Sequence, residues 1–179
     1  MATNSNYVCV QTAVVSIGAW VANAGATTLT DVGHTSGPVE LGSEFENFDV
    51  ESDRTPGIIK TVPIKAGFTL KIPMLEVTAE LLRTAMRLAT GQVSGTGDNK
   101  TVAVSDPAEQ YHRVQLVTQG VGTTRVRTIT AWKCQVLSVD PIQYGKAVAQ
   151  SYVATLRMLR DDSITAPTTD GYFYKQVDA

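Results

Sequence analysis

Few side chains in this sequence are suited to catalysis or metal binding. The two histidines, His34 and His112, lie in different contexts, and neither has a second ligand residue at the spacing of a metal site. Cys9 lies in an apolar, strand-like stretch without a neighbouring base, and no Gly-x-Ser-x-Gly nucleophile motif occurs. Structural roles are therefore the better interpretation for these residues. We expect no catalytic residue, no metal site and no cofactor, and hence not an enzyme.

The acidic side chains are concentrated in one stretch of the chain. Residues 39–53 contain six carboxylates and no basic residue. Glu44 and Glu46 can be imagined as a catalytic pair, but a solvated acidic edge is the commoner arrangement.

The basic side chains are concentrated in a different stretch. Residues 110–160 contain seven of them against a single acid, Asp140. One interpretation is a set of solvated faces, and the other is a subunit whose acidic edge meets the basic face of its neighbour. Such a head-to-tail contact produces rings or open filaments, and charges of this kind set register more than affinity. The candidates for the basic partner face are Arg113, Arg125, Arg127 and Lys133.

Composition limits the class of protein. The chain has 179 residues, enough for one domain, and its net charge of −2 provides no basic field to attract nucleic acid. Only 18% of the residues are charged, below the usual fraction of about 25%, which suggests a surface that is meant to be covered. Cys9 and Cys134 favour reduced, buried thiols over a disulfide. The N-terminus lacks a basic signal-peptide region, and no run of about 20 apolar residues occurs, so we expect a soluble protein made in a cytoplasm.

Most of the elements that position these residues are predicted to be β-strands. A β-branched, apolar stretch at 7–21 predicts a buried strand, and 68–74 alternates with Phe68, Leu70, Ile72 and Met74 on one face. Two prolines within 55–67 restrict any strand there to an edge or to a short length. Residues 110–141 predict two long strands joined as a hairpin, and 146–162 predicts a further strand.

One helix is predicted, at 79–90. Thr78 is a good N-cap, Glu80 lies in the first turn and Gly91 is a natural stop. At 100° per residue the apolar side chains fall within one arc, so this helix is expected to cover a sheet face. Its core face is predicted to comprise Leu81, Leu82, Ala85, Met86 and Leu88.

The final residues differ from the rest in character. Residues 163–179 are polar apart from Tyr172, Phe173 and Tyr174, which predicts a C-terminal arm rather than core. We therefore expect a single β domain at 1–162 followed by an arm at 163–179, with the three aromatic residues as arm contacts.

The central part of the chain resembles a known family. Residues 31–91 contain a glycine-rich turn, an extended stretch, the phrase Leu75-Glu76-Val77-Thr78, and a helix that continues with Leu81, Leu82 and Ala85. This order resembles the major tail tube proteins of long-tailed, siphovirus-like bacteriophages. The resemblance covers about a third of the chain, and the later hairpin and strand agree with it only in the order of elements.

This resemblance implies a fold and an assembly. The implied fold is mainly β, a β-sandwich or partial barrel flanked by one α-helix, with subunits forming hexameric rings that stack into a hollow tube for delivery of genome DNA. Closing the strands of six subunits into one barrel would remove exposed sheet edges. Residues Glu44, Glu46, Asp49 and Glu51 would then face the bore or a ring contact, where carboxylates repel passing DNA. Implied partners are further copies of the chain, a tape measure protein and tail-end proteins, in a virion tail assembled in the host cytoplasm.

Other classes of function stay open at this stage. The inner tube of a contractile or secretion apparatus shares the implied fold. A β-sandwich module that binds a sugar or protein is a further alternative, which exposed aromatics around a concave patch would favour. Trp20 and Trp132, however, lie in apolar, strand-like contexts and are expected in the core.

Overall fold

The computed structural model describes residues 11–52, 55–75, 78–97, 99–120, 126–142 and 151–178. The described residues are mainly β, with one main helix, as the sequence predicts. Their elements are β1 (Gln11–Ala19), β2 (Thr30–Asp31), β3 (Glu40–Ser52), β4 (Thr55–Met74), α1 (Ala79–Ala85), a 3₁₀ turn (Thr90–Gln92), β5 (Val93–Thr96), β6 (Asn99–Val102), β7 (His112–Gly120), β8 (Val126–Val139), β9 (Tyr152–Leu159), α2 (Pro167–Asp170) and β10 (Tyr174–Asp178).

One large antiparallel sheet organises the chain. Its strand order is β2-β1-β7-β8-β9-β4-β3, and β10 pairs with β8 off this path. The predicted hairpin is confirmed as β7 and β8, and the predicted strand within 146–162 is confirmed as β9. Strands β5 and β6 form a separate two-stranded hairpin.

The core lies on one face of this sheet. In β4 the predicted alternation is confirmed, because Leu70, Ile72 and Met74 are buried. Strand β9 alternates in the same way, and its buried residues pack into the same cluster as those of β4. Each large apolar side chain that is fully buried contributes about 1.5–3 kcal/mol before entropy is counted. The core therefore depends on period-two patterning in neighbouring strands.

Helix α1 covers this core near the end of β4. Thr78 caps it as predicted, since its side-chain oxygen accepts a hydrogen bond from the Leu81 amide at 3.3 Å. The helix ends at Ala85, not at residue 90, because Arg87 adopts a left-handed conformation with φ of 57° and Ala89 is extended. The predicted stop at Gly91 is therefore wrong.

A second, polar cluster covers the other face of the sheet. Arg113 lies between His112 and Val114 on β7, and its side chain therefore points away from the core face. Its Nη1 donates to the Gly25 carbonyl at 2.7 Å, and its guanidinium lies 4.8 Å from the Trp132 ring centroid. Trp132 in turn donates to the Asp170 carbonyl at 2.9 Å, so the C-terminal segment also contributes to this cluster.

The C-terminal residues fold back onto the sheet, which differs from the predicted arm. Strand β10 pairs with β8 from Tyr174↔Ala131 to Asp178↔Arg127. Phe173 and Tyr174 also pack against the ring of Phe68, at centroid distances of 5.0 and 5.6 Å. The segment 163–178 is thus part of the domain. Among the described residues, no helix has the length and apolar character needed to cross a membrane.

Candidate assembly surface

A two-stranded ribbon extends from the main sheet. Strand β4 pairs with both β3 and β9 over Phe68–Lys71, but residues 55–67 pair with β3 alone. We call residues 44–52 and 55–67 the ribbon. At about 3.3 Å per residue, residues 55–67 span roughly 40 Å. The prediction that prolines restrict this stretch to an edge or to a short strand is confirmed for the edge, because residues 55–67 of this 20-residue strand are paired on one side only.

The ribbon exposes an unusual amount of apolar surface. Phe48 is 59% exposed and Ile59 is 62% exposed. A two-stranded ribbon has no second layer to cover such side chains, and an isolated hairpin is at best marginally stable in water. Contiguous apolar patches of this kind mark interaction sites. The large exposed apolar residues of the ribbon are Phe45, Phe48, Val50, Ile58, Ile59 and Ile64.

Two bulges shape the ribbon. Glu46 pairs with Lys65 whereas Asn47 pairs with Pro63, which leaves Ile64 as an extra residue. A second shift between Val50 and Glu51 leaves Ile59 as an extra residue in the same way. Because a bulge locally increases the twist and disrupts pairing, these two isoleucines are displayed on an irregular strand rather than in a flat ladder.

All four predicted acidic contact residues lie on the ribbon and are exposed. Glu44 and Glu46 flank Phe45 on β3, and Asp49 and Glu51 follow in the same strand. The Glu46 carboxylate lies 3.6 Å from Lys65 Nζ, and Asp49 accepts a hydrogen bond from Thr61 at 2.7 Å. The structure therefore brings together carboxylates and large apolar side chains on one strand, although the sequence drew attention only to the carboxylates.

The predicted basic partner face is not a surface of this kind. Arg113 is 7% exposed and contacts its own chain, which contradicts its assignment as a partner residue. Lys133 Nζ lies 4.7 and 4.2 Å from the ring centroids of Trp20 and Tyr111. Arg127 forms two hydrogen bonds with Asp178, at 2.7 and 3.2 Å. Arg125 lies outside the described residues.

The predicted helix face is partly confirmed. Leu81, Ala85 and Leu88 are buried, although Leu88 lies beyond the end of α1. Leu82 is half-buried, and Met86 is 36% exposed, so Met86 is not a core residue.

The predicted arm contacts are intramolecular. Phe173 and Tyr174 pack on Phe68, and the Tyr172 ring lies 4.0 Å from the guanidinium of Arg160. Each of the three aromatic residues is half-buried. None of them therefore extends from the domain as an arm contact would.

The groups with large pKa shifts lie inside the domain. Burial lowers the pKa of His112 to about 4 and raises the pKa of the Cys134 thiol to about 12. Cys134 is a buried free thiol, as predicted, whereas Cys9 lies outside the described residues. Among the described residues, no group of three His, Cys, Asp or Glu side chains is arranged to hold a metal ion. The ribbon is therefore the feature of the described surface that most requires a functional explanation.

Comparison with known proteins supports the fold. No protein-family model matches the chain, and no curated protein matches its sequence. A chain in the cryo-EM structure of the anti-feeding prophage baseplate, symmetrised six-fold, is similar to it with a TM-score of 0.50 and 12% identity. The match covers 99% of this chain and 97% of that chain. At this identity the similarity shows a common fold, which therefore also occurs in a prophage baseplate.

Proposed function

We propose that this chain is a structural subunit of a phage-tail-like tube, whose copies assemble into stacked rings around a conduit. The observation that carries the proposal is the ribbon, because it presents large apolar side chains that no other part of the described chain covers. Burying each of them against a neighbouring copy would contribute about 1.5–3 kcal/mol before the costs of association. Several such side chains per contact are sufficient to drive self-assembly.

The sheet edges support the same proposal. Strand β3 pairs with β4 on one side only, and β2 pairs with just Ser16 and Ile17 of β1. Open edges of a sheet favour aggregation, and proteins remove them by pairing the edge strands or by closing the sheet. Joining the edges of successive copies would close the sheets into a ring, and six is the symmetry of the particle that contains the similar chain.

The acidic ribbon residues suit a conduit for DNA. Carboxylates that face a bore repel phosphates, so a duplex passes without being retained. The inner tube of a contractile particle is an equally suitable setting, and the similar chain in the anti-feeding prophage baseplate favours it.

The test is direct observation of assembly. The purified full-length chain should form hollow filaments of uniform width in negative-stain electron microscopy as its concentration rises. Phe48→Glu should prevent filaments without changing the thermal stability of the monomer, because Phe48 is 59% exposed in the isolated subunit. Val177→Glu is a matched control, since Val177 is 45% exposed on β10, which is not a ribbon strand. A wild-type chain that remains monomeric at every concentration would reject the proposal.

A further inference from the structure

A second exposed apolar site lies beside the end of α1. A cavity of about 380 Å³ is bounded by residues that follow the helix, by the segment 104–107 and by the end of β8. Val104 is 70% exposed, Leu137 is 57% exposed and Met86 is 36% exposed. Leu137 is the extra residue of a bulge in β8, which turns its side chain out of the regular ladder. We call this site the helix-end cavity.

The helix-end cavity and the ribbon lie toward opposite ends of the sheet. Val139 of β8 pairs with Ala154 of β9, which in turn pairs with Ile72 of β4. The ribbon leaves the sheet at the other end of this ladder, beyond the pair of Phe68 and Met158. Two different apolar sites at opposite ends of one molecule are the arrangement that a head-to-tail contact requires.

The polar groups of the two sites are complementary. Arg87 lines the helix-end cavity, and its half-buried side chain forms no salt bridge among the described residues. A carboxylate is the best acceptor for a guanidinium that is partly removed from water. On the ribbon, Glu46, Phe48 and Val50 are alternate residues of β3 and share one face, so a carboxylate is presented beside two apolar side chains.

The backbone at Arg87 supports a functional role for that residue. Its φ of 57° lies in the left-handed region, which glycine adopts more readily than any residue with a side chain. The conformation is held because Arg87 N donates to the Thr84 carbonyl and Arg87 O accepts from Ala108 N. An arginine at a position that suits glycine places a cation beside this cavity at some cost in stability.

We propose that residues 46–50 of the ribbon dock into the helix-end cavity of a second copy of this chain. Phe48 enters the cavity between Met86, Val104 and Leu137, and a ribbon carboxylate accepts a hydrogen bond from Arg87. This inference rests on the proposed self-assembly and identifies the two surfaces that form its axial contact. Because the two surfaces differ, a copy that is bound through its ribbon still has a free cavity, and a copy that is bound through its cavity still has a free ribbon. The assembly therefore grows along one axis without closing.

The test uses two variants that each lack one surface. Phe48→Glu removes the ribbon contact and leaves the cavity intact, whereas Leu137→Glu does the reverse. Neither variant should form filaments alone. An equimolar mixture should form a species of twice the mass of either variant, measured by light scattering after size exclusion, because one intact ribbon meets one intact cavity. Val104→Glu should behave as Leu137→Glu does. It replaces Leu137→Glu in the mixture if that variant does not fold.

A third variant examines the cation separately. Arg87→Gly should preserve the thermal stability of the monomer, since its backbone suits glycine, and should raise the critical concentration for assembly by about tenfold or more. Filaments from Leu137→Glu and Val104→Glu alone would overturn the docking and leave the proposed function intact. A mixture of variants that gives no species of doubled mass would also overturn it. A wild type that never assembles would reject both proposals.

Discussion

Single side chains show how burial determines chemistry in this domain. His112 is 8% exposed beside α1, and its Nε2 is buried without a hydrogen-bond partner among the described residues. Burial disfavours the charged imidazolium, and the nearby Arg83 disfavours it further, so the pKa of His112 is lowered to about 4. The histidine is therefore a structural residue that is neutral in the native state, as the sequence predicts.

This histidine makes stability depend on pH in a defined window. In the unfolded chain the pKa of His112 is about 6.5, so the unfolded state binds the extra proton first as the pH falls. Stability is thus fully present above about pH 6.5 and is lost progressively toward pH 4, by roughly 3 kcal/mol if the full shift applies. Chemical denaturation at pH 7, 6, 5 and 4 should show this loss. His112→Gln should be less sensitive to pH across that window, and an equal slope in both proteins would contradict the assignment.

The burial of Arg113 was not foreseeable from local sequence. Its neighbours on β7 alternate as any half-buried strand does, and a cation in that pattern predicts a solvent-facing side chain. Contacts with distant residues bury it instead, since its Nη1 donates to the Gly25 carbonyl, and the nearby Asp161 accepts a 2.9 Å hydrogen bond from Trp20, 141 positions away. Burial lowers the pKa of Arg113, and the nearby Asp161 opposes that shift.

Among the elements, α1 is shorter than its apolar pattern predicts. Leu81 and Ala85 join the core cluster from the helix, whereas Leu88 is buried outside that cluster after the chain has turned at Arg87. The 3.6-residue period cannot distinguish these cases, because an apolar residue that is buried beyond the end of a helix still fits the helical pattern.

A substitution under the helix tests its docking. Leu81→Asp would place an unpaired charge at a site that is 7% exposed, at a cost of several kcal/mol against a total stability of about 5–15 kcal/mol. The expected result is loss of soluble, folded protein, measured by expression and circular dichroism. Met86→Asp, on the exposed side of the same turn, should retain the fold and lose assembly. A folded Leu81→Asp variant would mean that the helix is not docked.

In the whole molecule, the C-terminal segment is part of the folded domain, whereas the sequence predicted a separate arm. Residues 163–178 complete one side of β8 and cover Phe68, so their removal exposes both. We expect truncation after Asp162 to lower the melting temperature by roughly 10 °C, since about 3 kcal/mol of burial is lost and each kcal/mol shifts it by about 2–4 °C at this size. Differential scanning calorimetry measures the shift. An unchanged melting temperature would restore the interpretation of this segment as a separate arm.

The local sequence was sufficient to predict part of the fold. The two-residue period at 68–74, the hairpin signals around β7 and β8 and the cap at Thr78 act between near neighbours, and each is found where it was predicted. The acidic character of residues 39–53 also belongs to the sequence alone. These features are local, because dihedral preferences and side-chain spacing act over a few residues.

The rest depended on contacts between distant residues. The pairing of β3 with β4 joined the predicted stretches 55–67 and 68–74 into one long strand. The same pairing extends the ribbon beyond the sheet. The return of β10 to β8 paired Arg127 with Asp178, 51 positions away, so one predicted partner residue forms an ion pair within its own chain. Such contacts follow from burial of apolar area and completion of hydrogen-bond ladders in three dimensions, and no short window of sequence carries that information.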